Sequence, residues 1–227
     1  MMLAALAALL AVSPPVETLL PGTYANEEQV NAAPVVPWSG ARITGAGTGF
    51  RFQLIDAFGA AIGTPEAWQV TQTPETVTIR SGRCRRDFAR VSAGLTLINQ
   101  SRACAGSTGP TSFIDRGLAL TAADGSVLDL QRARAFTCTA TVGGWSNDAL
   151  LLHDAGGRIL IGDAATSRMV MRLRHNAFPM GTDEARLILQ IDVDRAAKPL
   201  AAAFADPTAT RIGIDLPIVT ARCALAG

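Results

Sequence analysis

The chain has 227 residues, of which 48% are hydrophobic and 17% are charged. Such a chain can bury a sizeable core, so its composition excludes a disordered protein. The chain has twenty Lys and Arg residues and nineteen Asp and Glu residues. It has no long run of like charges that could bind along a phosphate backbone, which argues against a nucleic-acid partner.

The first segment, MMLAALAALLAVSPP at residues 1–15, predicts a secretory signal peptide. Its apolar run is too short to span a bilayer, which takes about 20 residues, but it has the length of a signal-peptide core. It lacks a preceding basic segment, and the alternative is an apolar first helix packed on the core. No later stretch reaches spanning length, so we expect a periplasmic or secreted protein with no stable membrane span.

Strand-like patterns follow a short helix and a Pro-Gly break. The segment GFRFQLIDAF at 49–58 is apolar and partly alternating, and ETVTIR at 75–80 alternates with β-branched residues. Gly and Pro clusters separate such segments at intervals of about ten residues. The pattern predicts an all-β fold, built as an antiparallel barrel or a sandwich.

Two dipeptides predict two-residue hairpin turns. Asp124-Gly125 lies between GLALTAA and SVLDLQ, and Gly156-Gly157 lies between ALLLHDA and RILIGD. Both positions of such a turn need a positive φ, which these residue types tolerate.

The last third of the chain predicts further strands and one helix. The segments 168–174 and 185–193 predict a strand pair, and 211–225 predicts a last strand or strand pair. RAAKPLAAAFAD at 195–206 predicts a helix, provided that its proline falls in the first turn.

Four cysteines are expected to form disulfides, namely Cys84, Cys104, Cys138 and Cys223. No CxxC pair occurs, so we expect no metal site. If a hairpin turns at Gly94, Cys84 lies directly opposite Cys104, within disulfide distance. A three-residue loop would shift that register by two residues, so the pairing stays open, although the direct pair is favoured. Cys138 would then pair with Cys223 by elimination.

Arg86, Phe88 and Arg90 are the candidate ligand-binding residues, because on a strand they share one face with Cys84. Facing a barrel interior, the two arginines would make an anion-binding cavity for carboxylates. Facing outward, they would only solubilise a sheet edge.

No catalytic residue or cofactor is predicted, because the chain has no GxSxG, HExxH or phosphate-loop motif. His153-Asp154 could orient an imidazole, but no nucleophile can be assigned to it. The pair precedes a predicted turn, and we interpret it as the polar surface of a hairpin.

Two stretches resemble the CpcT/CpeT family, the bilin chromophore lyases of phycobiliproteins. The first resembles the family's G-x-aromatic-x-N-x-x-Q element, with the matches Gly22, Tyr24, Asn26 and Gln29. The second resembles its C-x-x-x-F, G-x-T, C arrangement, with the matches Cys84, Phe88, Gly94, Thr96 and Cys104. The resemblance implies a calycin-like antiparallel barrel over residues 16–135, often dimeric, with a tetrapyrrole-sized cavity. The family's Tyr-Arg-Gln-Arg segment has no counterpart between residues 50 and 80, so the resemblance implies the fold more than lyase activity.

Residues 16–135 are expected to be too few for a complete ten-stranded barrel. Residues 136–227 therefore either complete one continuous β domain or form a second β-rich module with one helix. The leading hypothesis is an exported barrel protein that binds a small lipophilic, tetrapyrrole-like or anionic ligand. The alternatives are a lyase that attaches a bilin to a protein cysteine, and a non-enzymatic protein that binds other proteins of the cell envelope.

Overall fold

The first half of the molecule is a closed antiparallel barrel of ten strands, in the order β1-β10-β9-β8-β7-β6-β5-β4-β3-β2. This computed structural model describes residues 15–33, 36–114, 117–163, 168–178, 182–193 and 198–227, so the predicted signal peptide lies, apart from Pro15, outside the described residues. The barrel strands are β1 (Gly22–Ala25), β2 (Gly40–Ala46), β3 (Gly49–Ile55), β4 (Ala61–Gln72), β5 (Thr76–Ser81), β6 (Cys84–Val91), β7 (Gly94–Gln100), β8 (Gly109–Ile114), β9 (Gly117–Thr121) and β10 (Val127–Ala133).

The barrel is complete within residues 22–133, so the expectation that this segment is too short was wrong. Most of its strands have only four to eight residues, and tight connections such as the one between Val91 and Gly94 join them. β1 pairs with both β2 and β10, which closes the sheet without a free edge.

Two short helices flank β1, α1 (Val16–Leu19) and α2 (Glu27–Ala32). α1 closes one end of the barrel, because Val16 and Leu20 are buried with the interior side chains and the Tyr24 hydroxyl donates to the Leu20 carbonyl at 2.9 Å. No helix in the described ranges is long and apolar enough to cross a membrane.

The second half consists of two four-stranded sheets, β12-β11-β18-β17 and β13-β14-β15-β16. Their strands are β11 (Ala135–Val142), β12 (Trp145–His153), β13 (Ala155–Ile161), β14 (Met169–Phe178), β15 (Thr182–Val193), β16 (Ala201–Ala205), β17 (Arg211–Leu216) and β18 (Val219–Leu225). Side chains of both sheets form one buried cluster between them, so we call this half the sandwich. That cluster shares no residue with the cluster inside the barrel, and the division into two domains stays a prediction.

The all-β antiparallel prediction is confirmed, but the predicted helix at 195–206 is wrong. Its residues 195–197 lie outside the described residues, and Ala201–Ala205 forms strand β16, paired with β15. Ala201, Ala203 and Ala205 pack on the sandwich core and the residues between them point away. Strand pairing and period-two burial therefore outweigh the helix propensity of alanine.

The two predicted turns had different outcomes. β9 and β10 form the hairpin at Asp124-Gly125, but the loop is longer than two residues, since the Ala122 amide donates to the Ser126 carbonyl and closes it. At Gly156-Gly157 the prediction was wrong, because β12 and β13 belong to different sheets and both glycines lie inside β13.

Both predicted disulfides are present. Cys138 lies directly opposite Cys223 on neighbouring strands, with Cα atoms 4.0 Å apart. Cys84 binds Cys104 with Cα atoms 4.7 Å apart, but the predicted register was wrong. The hairpin pairs Val91 with Gly94, and Cys104 lies beyond β7 on a 3₁₀ helix that returns it to Cys84.

The two disulfides should differ in their contribution to stability. Removing Cys138–Cys223 by double alanine substitution should lower the free energy of unfolding by about 4.5 kcal/mol, against about 3 kcal/mol for Cys84–Cys104, because the former closes the longer loop. Guanidinium unfolding of the two variants measures this difference. A larger loss for Cys84–Cys104 would contradict it.

Candidate functional site

The face of β6 that carries Arg86 and Phe88 lies towards the barrel interior. Arg86 is 4% exposed and Phe88 is fully buried, whereas Arg85 between Cys84 and Arg86 points to solvent. The Arg86 guanidinium packs against Gly109, and its Nη2 donates to Ser107 Oγ at 3.1 Å. Burial lowers the pKa of Arg86, while the charge of nearby Glu66 acts in the opposite direction.

Arg90 lies apart from Arg86, towards the opposite end of the same strand. It is half-buried, and its Nη2 donates to Gln72 Oε1 at 2.5 Å. Phe88 lies between the two arginines along the strand, so the structure does not bring them together into one binding site.

Aromatic side chains occupy the barrel interior. The rings of Phe52 and Trp68 stack with centroids 4.6 Å apart, and Phe113 contacts Trp68 and Phe88 edge-on at 6.5 and 5.9 Å. These four side chains are at most 3% exposed. The volume that a tetrapyrrole would need is thus filled by close-packed side chains.

A different cluster of charges lies where the barrel meets the sandwich. It contains Arg158 on β13, Arg172 and Arg174 on β14, and Glu27 on α2, and we call these four residues the arginine junction. Arg158 pairs directly across from Arg172 in the sheet. Because Met171 and Leu173 point into the sandwich core, the alternating arginines of β14 lie on the opposite face of the sheet, where α2 packs.

Glu27 is held in place by the start of α2. The side chain of Asn26 is fully buried, and its Oδ1 accepts from the Ser39 amide at 2.7 Å while its Nδ2 donates to the Pro37 carbonyl at 3.0 Å. At the other end of the helix, Asn31 Nδ2 donates to the His175 carbonyl at 3.1 Å. The helix is therefore fixed to both halves of the molecule.

Positive charge is in excess at the junction. Glu27 Oε1 is 2.6 Å from Arg172 Nη2 and 3.9 Å from Arg174 Nη1. Asp192 lies near Arg158 and Arg174, so three guanidinium groups face two carboxylates. Burial, and then repulsion by Arg172, lowers the pKa of both Arg158 and Arg174, although a guanidinium stays charged at neutral pH.

Unpaired polar atoms concentrate at this place. Among the described residues, seven buried side-chain nitrogen or oxygen atoms have no hydrogen-bond partner. One is Gln29 Oε1, and the other six are Glu27 Oε2, both ring nitrogens of His153, and the Nε atoms of Arg158, Arg172 and Arg174. Since buried polar groups in native proteins nearly always have partners, this clustering makes the place a candidate binding site.

His153 and Asp154 adjoin the junction, and their interpretation as hairpin surface was wrong. Asp154 is 3% exposed and accepts from Arg134 Nε at 2.6 Å and from His175 Nε2 at 2.9 Å. Burial alone would raise the pKa of Asp154, but these hydrogen bonds hold it below its usual value. Asp154 and the ring nitrogens of His153 are buried because the β12–β13 connection packs against the barrel, where Trp38 stacks on His153 with centroids 6.0 Å apart.

A wide groove of about 780 Å³ lies elsewhere, on the outer face of the β11-β18-β17 sheet. Its charged residues include Arg222 and Asp215, which are 70% and 74% exposed and 3.4 Å apart. Charges so exposed are screened by water and bind weakly. The partly enclosed arginine junction is the stronger candidate. In the described part of the chain, no group of three His, Cys, Asp or Glu side chains is placed to hold a metal ion.

The sequence did not single out the arginine junction. The Met-Arg-Leu-Arg alternation at 171–174 indicates a strand with a charged face only when it is combined with the strand prediction for 168–174. Nothing local marks Glu27, which is 145 residues from Arg172 along the chain.

Buried His153 should make the protein sensitive to mild acid. Burial lowers its pKa from 6.5 to about 4, so the unfolded chain binds this proton first as the pH falls. The free energy of unfolding should therefore decrease between pH 6.5 and about 4, by about 3 kcal/mol for this group. His153→Phe can keep the stacking on Trp38 but removes the titrating group. Its free energy of unfolding, measured by urea unfolding, should therefore decrease less over the same pH range. Identical curves for the two proteins would refute this role.

The chain matches no known protein family, no curated protein and no solved structure. The resemblance to the CpcT/CpeT family accordingly stays a prediction.

Proposed function

We propose that this chain is an exported, non-enzymatic protein that binds a small anionic ligand at the arginine junction. Two disulfides support the export part of the proposal, because such crosslinks persist in oxidising compartments such as the bacterial periplasm. The predicted signal peptide at residues 1–15 agrees with it.

The observation that carries the binding part is the set of unpaired Nε atoms on three neighbouring arginines. Arg172 and Arg174 have side chains that are 14% and 20% exposed, so the cluster is partly enclosed and still in contact with solvent. A guanidinium binds an oxyanion through two parallel N–H donors, and one of these is normally Nε. An anion that reaches the cluster would supply both the missing acceptors and the missing negative charge.

The filled barrel favours an anionic ligand over a lipophilic one. A lipophilic molecule inside the barrel would have to displace the stacked rings around Trp68. A chromophore lyase would need a cavity for its bilin in the same space, so the geometry also favours a protein without lyase activity. Ligand binding by Arg86, Phe88 and Arg90, and the homodimer that the resemblance implies, stay predictions.

Anion binding can be tested by calorimetric titration of inorganic phosphate, succinate and citrate into the disulfide-bonded protein at low ionic strength. The wild type should bind at least one of them. Arg158→Gln should weaken that binding about 10- to 100-fold, since a hydrogen bond to a charged group contributes about 1.5–3 kcal/mol. Arg158 is the suitable site because the described ion pairs of Glu27 are with Arg172 and Arg174.

Arg222→Gln is the matched control, because it removes the same charge from the exposed face of the sandwich. Its affinity should equal that of the wild type. The proposal is wrong if the wild type binds none of the three anions, or if the two arginine variants lose affinity equally.

A further inference from the structure

We infer that Glu27 is an internal ligand of the arginine junction, that an external carboxylate displaces it, and that the natural ligand is therefore an organic carboxylate. This inference rests on the proposed function and adds to it the class of the ligand and a form of self-regulation. Its starting point is that a carboxylate already lies among the arginines.

Glu27 satisfies the junction only in part. Its Oε1 contacts Arg172 and Arg174, while its Oε2 is buried and has no hydrogen-bond partner among the described residues. An unpaired acceptor and three unpaired Nε donors thus lie in one cluster. Only one oxygen of the Glu27 carboxylate contacts the guanidinium groups, whereas a free carboxylate can bind a guanidinium bidentately.

The shape around Glu27 suits a flat group. Gly156 lies directly against the carboxylate, with φ at +80°, and a Cβ at this position would collide with Glu27 Oε2 and with Trp38 Nε1. Glycine is needed here both for its backbone conformation and for this close approach. Little room is left on this side of the carboxylate, which favours a planar group over a tetrahedral oxyanion with an additional oxygen out of the plane.

Displacement of Glu27 does not require the helix to unfold. Besides the Glu27 ion pair, α2 is held by hydrogen bonds of Asn26 and Asn31 that do not involve the Glu27 side chain. Rotation of that side chain alone would exchange the internal carboxylate for an external one. The apparent binding free energy of the external carboxylate is then the difference between its own binding free energy and that of Glu27. Removing the Glu27 carboxylate should therefore increase the apparent affinity.

The test is a comparison of Glu27→Gln with Glu28→Gln, with sodium acetate, succinate and inorganic phosphate as probes in calorimetric titrations. Gln keeps the size of Glu27 but removes its charge, and Glu28 is the exposed neighbour on the same helix. Glu27→Gln should bind acetate and succinate at least about tenfold more tightly than the wild type, a gain of about 1.4 kcal/mol. Its affinity for phosphate should increase less, and Glu28→Gln should match the wild type.

Glu27→Ala provides an independent readout, because it vacates the position of the carboxylate. Acetate should raise the melting temperature of Glu27→Ala in a saturable manner, and it should have no such effect on Glu28→Ala. If a variant is recovered only as insoluble protein, the refolding yield with and without acetate gives the same comparison.

The outcomes separate this inference from the proposed function. If the wild type binds carboxylates but Glu27→Gln binds them no more tightly and acetate does not stabilise Glu27→Ala, the internal ligand is refuted and the proposed function stands. Binding only after the change at Glu27 refutes both the proposed function and the displacement of Glu27 by an external carboxylate, because the wild-type junction then stays closed. No binding in any of these proteins refutes both, and a preference for phosphate refutes the carboxylate class.

Discussion

The structure depends on the neutralisation of buried charges at the interface between the barrel and the sandwich. The ion pair between Glu27 and Arg172 links the barrel half to the sandwich half with a 2.6 Å contact, and both partners are largely shielded from water. Removing two charges from water is costly, and their attraction offsets that cost only when the geometry is good and the remaining polar atoms are paired. Asn26, Asn31 and Gly156 all serve this geometry, since they fix the helix and leave room for the carboxylate.

The barrel supplies one wall of this interface and needs no cavity of its own to do so. Its ten short strands close on themselves, and stacked aromatic rings fill the interior. Since binding sites occur preferentially where two packed units meet, the place where the barrel meets the sandwich is the one at which we propose the site. The hydrogen bond from Trp38 Nε1 to the Ala155 carbonyl, at 3.3 Å, helps to hold that junction together.

Local pattern was enough to predict much of this fold. Alternation predicted β5, the strand pair β14–β15 was predicted, and the four cysteines indicated both disulfides, although the register argument for Cys84 and Cys104 was wrong. The errors lie where distant segments decide the outcome. An alanine-rich segment became β16 because an open sheet edge was available, and Gly156 serves a contact with Glu27 instead of a turn.

Prediction of the candidate binding site was limited in the same way, because distant segments of the chain form it. The sequence placed Arg86 and Phe88 on one face of β6 but left open whether that face was interior or exposed, and it could not show that Phe88 packs against Phe113. For the arginines of β14, alternation with Met171 and Leu173 indicates only that they face away from the core. Which group covers that face depends on the packing of α2, from the far end of the chain.

Arg134, a half-buried arginine near the same interface, shows what full compensation requires. Arg134 donates through Nε to Asp154 at 2.6 Å, through Nη2 to the Pro207 carbonyl at 2.7 Å, and through Nη1 to the Ala209 carbonyl at 3.4 Å. Each of its guanidinium nitrogens has a partner, whereas the three arginines of the arginine junction have unpaired Nε atoms. An interface that only joined the two halves would favour the first arrangement at both places, because an unsatisfied buried polar group costs about 1–3 kcal/mol. The contrast between them is the reason to regard the arginine junction as a binding site and the Arg134 network as its structural support.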